Sequence, residues 1–206
     1  VSRERLGEEV ASPLVTLVDD ATLPGAYGSY TIDDEGTPAK RNILIDKGIL
    51  SLYLTDVQSA RKGGIPLTGN GRRGSYRNLP IPRMSNTFLL PGEDSPDALL
   101  ARVEKGLLVT KMGGGQVNPT SGDFVFQVTE AFLLEKGKVG NPVRGATLIG
   151  NGPEVLRQIE AVGNDLHFEP GMCGKDGQSV PVTDGQPSLL VGSLLVGGCE
   201  IGHGEG

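Results

Sequence analysis

Cys173 stands in the stretch Gly171-Met172-Cys173-Gly174-Lys175-Asp176-Gly177-Gln178-Ser179, where a thiol could serve as a nucleophile or a metal ligand. Both roles need the thiolate, and a thiolate holds zinc at about 2.3 Å. Gly171 and Gly174 leave the backbone around the sulfur free to turn tightly, and Lys175 puts a positive charge close by. A zinc site needs further donors, and the chain has only two histidines. His167, flanked by Leu166 and by Phe168-Glu169, reads as a surface or packed histidine, with no second His nearby. Cys199 and His203 have the Cys-x-x-x-His spacing of a metal pair, but a Gly-rich tail holds geometry poorly. Taken residue by residue, Cys173 fits an inert buried cysteine better than a ligand.

Three other stretches carry possible chemistry. Gly69-Asn70-Gly71-Arg72-Arg73-Gly74 offers backbone N–H groups beside two guanidiniums, a composition able to cradle phosphate. It lacks the Lys-Ser/Thr pair of a P-loop, so a mobile basic loop or a partner-contact loop is the better reading. The surrounding segment 61–83 carries six basic residues, several Gly and Pro, and little periodicity. Connections of that length inside a compact domain are uncommon and tend to be functional. Asp19-Asp20 and Asp33-Asp34-Glu35 read as turn chemistry, since no EF-hand spacing accompanies them. Gly113, Gly114 and Gly115 strip a strand end of side chains, where an extended peptide substrate could approach as an added strand. A bulge or a sharp corner accounts for the same glycines equally well.

The elements that must hold these groups are short strands. The 206 residues include 32 Gly and 14 Pro, with four Tyr, five Phe and no Trp, so turns are frequent and the core is aliphatic. Asn42–Asp46 and Ile49–Leu54 flank Lys47-Gly48, and Phe124–Glu135 and Lys138-Val139 flank Lys136-Gly137: two hairpins with one turn signature. Leu14–Val18 and Ser29–Ile32 read as further strands. Helices are expected near 96–105, with Ser95 as N-cap and Pro96 at the first position, and near 153–162. The expected fold is α+β, mainly antiparallel sheet with hairpins and two main helices, built as a single β-rich domain over 1–206. A net charge of −6 argues against nucleic acid as a direct partner. Two distant Cys and no secretory h-region fit a cytoplasmic setting. Ser188–Gly198 is too short and too Gly-interrupted to cross a membrane.

Eight runs then occur in a telling order: DDEGTP (33–38), TGNGRR (68–73), PRMSNT (82–87), GGGQV (113–117), TSG (120–122), GATLIG (145–150), VGNDL (162–166) and CGKDGQ (173–178). With them, from about Val10 to Gly198, the chain resembles the C-terminal half of the TldD/PmbA (TldE) zinc metalloprotease family, once called modulators of DNA gyrase. The retained Cys and the GGGQV, TSG and GKDGQS runs match the TldD side, because the PmbA/TldE side lacks the zinc ligands. The resemblance implies a cytoplasmic zinc peptidase that degrades small unfolded or modified peptides and works as a heterodimer with a TldE/PmbA-like subunit. It further implies zinc held by two His of an HExxxH helix and by a Cys at the position of Cys173, with the Glu of that helix as general base. HExxxH occurs nowhere in this sequence, and in the family it lies just upstream of where Val1 falls. The expectation is therefore a C-terminal domain contributing one zinc ligand, Cys173, with no catalytic residue of its own and no activity alone. The Gly113, Gly114 and Gly115 stretch is expected to hold substrate. The contrasting expectation is a non-catalytic interaction module that engages its partner through the Arg61–Arg83 loop.

Overall fold

The computed structural model describes residues 5–118, 120–198 and 200–201. The elements begin with β1 (Leu17–Asp20), β2 (Arg41–Asp46), β3 (Ile49–Leu50), α1 (Val57–Gly63), β4 (Gly71–Arg72), β5 (Ile81–Pro82) and β6 (Asn86–Leu89). They continue with α2 (Pro96–Ala101), β7 (Lys105–Val117), β8 (Asp123–Glu135), β9 (Lys138–Arg144), β10 (Thr147–Asn151), α3 (Gly152–Arg157) and β11 (Ile159–Val162). Last come β12 (His167–Lys175), β13 (Gln178–Gln186), β14 (Leu189–Val191), β15 (Leu195–Gly197) and β16 (Glu200–Ile201). This is the α+β, largely antiparallel architecture that the hairpin signatures indicate. The chain forms two compact units, one from 1–91 and 165–187, the other from 92–164 and 188–206.

The first unit is built on a six-stranded sheet in the order β12-β13-β6-β1-β2-β3, antiparallel except for the parallel β13–β6 pair. Val15, Val18, Phe88, Val180 and Val182 are buried in its core, which is aliphatic but for the phenylalanine. β1 starts three residues later and ends two residues later than Leu14–Val18 predicts, and the acidic pair read as a turn lies inside it. Asp19 and Asp20 are buried there, so hydrogen bonding overrides their usual preference for turns. Ser29–Ile32 forms no strand; Ile32 only bridges Pro38. The β2–β3 turn has φ of 47° at Lys47 and 86° at Gly48, and β12–β13 repeats it with 50° at Asp176 and 71° at Gly177. Positive φ at both central residues marks the type I′ turn that matches strand twist. An unforeseen helix, α1, is set by a capping box between Asp56 and Ser59 and stopped by left-handed Gly64.

In the second unit β8 is the spine. β7 pairs along its whole length on one side, while β10 and β9 share the other. The five-strand order β15-β10-β8-β9-β16 therefore leaves β7 as an edge. The buried cluster is small, Ala131, Val143 and Ala146, with Leu107, Val109, Val128, Leu133 and Val196 packed against it. Both predicted helices exist but are shorter. α2 stops at Ala101 because the chain enters β7 at Lys105. α3 stops at Arg157, and Ile159, Ala161 and Val162 bury themselves by pairing with β14 instead. Their apolar spacing suited either element, and tertiary pairing decided it.

Candidate functional site

Cys173 lies on β12, the edge strand of the first unit's sheet, opposite Val180 and two pairs before the Asp176-Gly177 turn. It is partly buried and free. Its main chain, more than its sulfur, is tightly held. The Arg83 guanidinium donates from Nη2 to the Cys173 carbonyl and from Nη1 to that of Gln178, at 3.3 Å, so it grips both arms of the hairpin. Arg83 is 2% exposed.

The grip is anchored in the middle of the sheet. Asn70 accepts from the Arg83 N–H at 2.9 Å through its own carbonyl, and its Nδ2 donates to the Arg83 carbonyl at 3.0 Å. The same Nδ2 donates to Asp19 Oδ2 at 2.7 Å. Asp19, fully buried on β1, also accepts from the Ser85 N–H, the Ser85 hydroxyl and the Thr87 hydroxyl, each at 2.7 Å. A chain of bonds thus runs from the central strand through Asn70 and Arg83 to Cys173. Arg72 works in parallel, donating to the carbonyls of Met84 at 2.6 Å and Pro181 at 2.9 Å, with its guanidinium 4.9 Å from the Tyr30 ring centre. Burial holds the Arg72 pKa below its ordinary value and pushes the Tyr30 phenol well above its own. Tyr30 therefore stays a neutral donor, to the Gly69 carbonyl at 2.8 Å.

In the sequence Asn70 and Arg72 look like parts of a phosphate cradle, Asp19 like turn chemistry and Arg83 like one more basic residue; nothing marks the four as a brace for Cys173. Their signal was position: Asn70, Arg72 and Arg83 fall within TGNGRR and PRMSNT, two of the runs that carry the resemblance. The basic segment 61–83 turns its arginines at 72 and 83 inward, which removes them from any phosphate cradle. Its N–H groups are also taken, Gly71 by Asp33, Arg73 by Asp34 and Gly74 by Gln178. Asp33 further accepts from Glu35 and Thr37, so this acidic run is a loop pin, as its turn chemistry suggests.

His167 is exposed at the start of β12, its Nε2 2.9 Å from Glu169 Oε1. Cys199 and His203 lie outside the described residues. Among the described residues no three His, Cys, Asp or Glu side chains gather as a metal-binding group. Among the described residues Cys173 is the one cysteine, and a lone soft sulfur donor is of a type that suits zinc only as one member of a larger set.

Gly113, Gly114 and Gly115 belong to the second unit, inside β7 rather than past its end. The register slips between Val109 and Lys111, between Lys111 and Met112, and between Met112 and Gly115, so the bulge reading of the glycines holds. Two of the three are needed by the fold. A Cβ at Gly115 would meet Phe126 Cδ1 at 2.2 Å and the Val125 carbonyl at 2.5 Å, and one at Gly113 would meet Thr129 Cγ2 at 2.9 Å. Gly114 differs: nothing lies within 4 Å of its Cβ position, and its φ is not in the left-handed region. Gly115→Ala is therefore expected to cost about 1–3 kcal/mol by overpacking, and Gly114→Ala to be neutral or stabilising by about 0.5 kcal/mol. Thermal unfolding of the two variants checks this.

Residues 1–198 match the family model of the PmbA/TldA metallopeptidase C-terminal domain. A Haemophilus influenzae protein named metalloprotease TldD homolog is 52% identical over 196 residues, 94% of this chain and 41% of that protein. A Saccharolobus solfataricus protein named zinc metalloprotease TldD homolog is 35% identical over 166 residues, 81% of this chain and 37% of that protein. The solved structure of TldE from Thermococcus kodakarensis aligns with a TM-score of 0.77 at 27% identity, over 93% of this chain and 41% of that one. The chain spans about two fifths of the length of the curated relatives it matches.

Proposed function

The chain belongs to the PmbA/TldD metallopeptidase family, as its C-terminal domain, and from that premise we propose that it completes the zinc site and part of the peptide cleft of a metalloprotease. Residues 1–206 serve in this reading as one C-terminal domain of a longer protein. The observation that carries it is Cys173, a partly buried thiol whose main chain a buried arginine fixes in place. Cys173 supplies the thiolate ligand, and two His of an upstream HExxxH helix supply the others, with the Glu of that helix as general base. When bound, zinc contributes Lewis-acid chemistry toward a scissile carbonyl. The β7 edge takes the peptide as an added strand, its main chain bonding the extended substrate and Gly114 leaving room for close approach. Recognition through main-chain groups suits a peptidase of small unfolded or modified peptides, because it reads little of the side chains. A TldE/PmbA-like subunit is the proposed partner, which the likeness to TldE supports, and the cytoplasm the proposed setting. No helix among the described residues is long and apolar enough to cross a membrane.

The test is Cys173→Ser in the full-length protein, read by zinc content and by hydrolysis of an unfolded peptide. Zinc affinity and activity are expected to fall by more than the 10–100-fold, roughly, that loss of an outer-sphere partner costs. The 206-residue chain alone is expected to retain no zinc and to cleave nothing. A full-length Cys173→Ser variant that keeps its zinc and its activity rejects the reading. A bound peptide that touches nothing between Met112 and Asp123 rejects the β7 cleft.

A further inference from the structure

We infer that Arg83 is the positioning residue of Cys173: from inside the first unit it sets the main chain from which the proposed zinc ligand projects. The inference rests on the reading of Cys173 as that ligand. Arginine is almost never fully buried without a charged partner, yet Arg83 is among the most deeply buried large side chains here. Among the described residues no carboxylate forms an ion pair with it. Its Nη groups go to two main-chain carbonyls, Cys173 on β12 and Gln178 on β13. Its Nε is buried with no hydrogen-bond partner among the described residues.

Hairpin stability alone does not explain this arrangement. The type I′ turn and the nine-residue register from His167–Gln186 to Lys175–Gln178 already hold β12 on β13. A buried cation without a counter-carboxylate is a net liability, and apolar residues of similar volume replace such groups without loss in other folds. What the cation gains here is two fixed carbonyls, and one of them is the cysteine's. Its own backbone is clamped by Asn70, which Asp19 clamps in turn, so the position of Cys173 is referred to the central strand β1 and not to the edge on which it sits. Outer-sphere partners of metal ligands act in this way, orienting the donor before the metal arrives.

The experiment uses the full-length protein with Co²⁺ in place of zinc, because the thiolate–Co²⁺ charge-transfer band reports the sulfur bond itself. Arg83→Met is compared with wild type and with Cys173→Ser. Cys173→Ser should abolish the band. Arg83→Met should keep a folded protein, shift the band, weaken Co²⁺ and Zn²⁺ binding about 10–100-fold, and speed amide exchange across Gly171–Lys175 in the metal-free state. An Arg83→Met protein with wild-type affinity, band and exchange, beside a Cys173→Ser protein that loses the band, overturns the positioning role and leaves the ligand reading intact. A band that survives Cys173→Ser removes both. Should Arg83→Met not fold, Arg83→Gln, which is neutral and cannot reach both carbonyls, carries the same comparison with the same outcomes.

Discussion

Asp19→Ala is expected to destabilise the first unit by about 3–5 kcal/mol, enough to unfold much of it at 37 °C given typical total stabilities of about 5–15 kcal/mol. The carboxylate has no exposed surface and accepts four hydrogen bonds, each 2.7 Å long. A hydrogen bond to a charged group is worth about 1.5–3 kcal/mol, and leaving its partner unsatisfied in the interior costs about as much again, so the four do not simply add. Alanine strands the donors of Ser85, Thr87 and Asn70 around a cavity that water cannot easily enter. Asparagine is not a safe substitute, because one N–H of its amide must face a pure donor, Asn70 Nδ2 or the Ser85 N–H. Urea denaturation followed by circular dichroism should show the midpoint fall for both variants, more for alanine. Because Asn70 and Arg83 hang from Asp19, the Cys173 thiol of Asp19→Ala should also alkylate faster than in the parent. A shift below about 1 kcal/mol would mean that the network follows from the fold and does not hold it.

The parts of this fold that the sequence makes legible are those fixed locally. Lys47-Gly48 and Lys136-Gly137 announce hairpins because two successive left-handed residues suit little else, and Ser95-Pro96 announces a helix start because cap and φ are both preset. The failures share a different cause. Asp19-Asp20 looks like a turn until Ser85, Thr87 and Asn70, more than fifty residues away in sequence, supply donors that make a buried strand position tolerable. Ile159–Val162 looks helical until β14 offers a partner. α1 has little apolar stripe, only Ala60 being buried, and is declared by a capping box that a periodicity reading passes over. The site divides in the same way. Cys173 is visible as chemistry, whereas Arg83, which holds it, looks like one more basic residue of a loop, since nothing local distinguishes an inward guanidinium from an outward one.

Arg72→Glu is expected to cost at least about 4 kcal/mol, while Arg73→Glu, one residue on, should stay within about 1 kcal/mol of the parent. Arg72 is 6% exposed and its fork is spent on the carbonyls of Met84 and Pro181. A glutamate there loses both bonds and the contact with the Tyr30 ring, and sets a carboxylate against carbonyl oxygens with Asp19 and Asp34 acting on the same position. Arg73 is more than a third exposed in its side chain, and its contact with Asp34 is a surface pair at 3.6 Å. This contrast decides how an interaction module can be tested against a peptidase domain. A charge reversal that includes Arg72 would abolish partner binding by unfolding the protein, whatever the function. The informative surface is the exposed part of the same loop, Arg73 and Arg77, where Tyr76 and Leu79 also face solvent. Reversing Arg73 and Arg77 together should leave the unfolding midpoint and zinc content unchanged. A module that docks through this loop then loses its partner in a pull-down with the TldE/PmbA-like subunit, and a protease whose loop is only an internal brace keeps it.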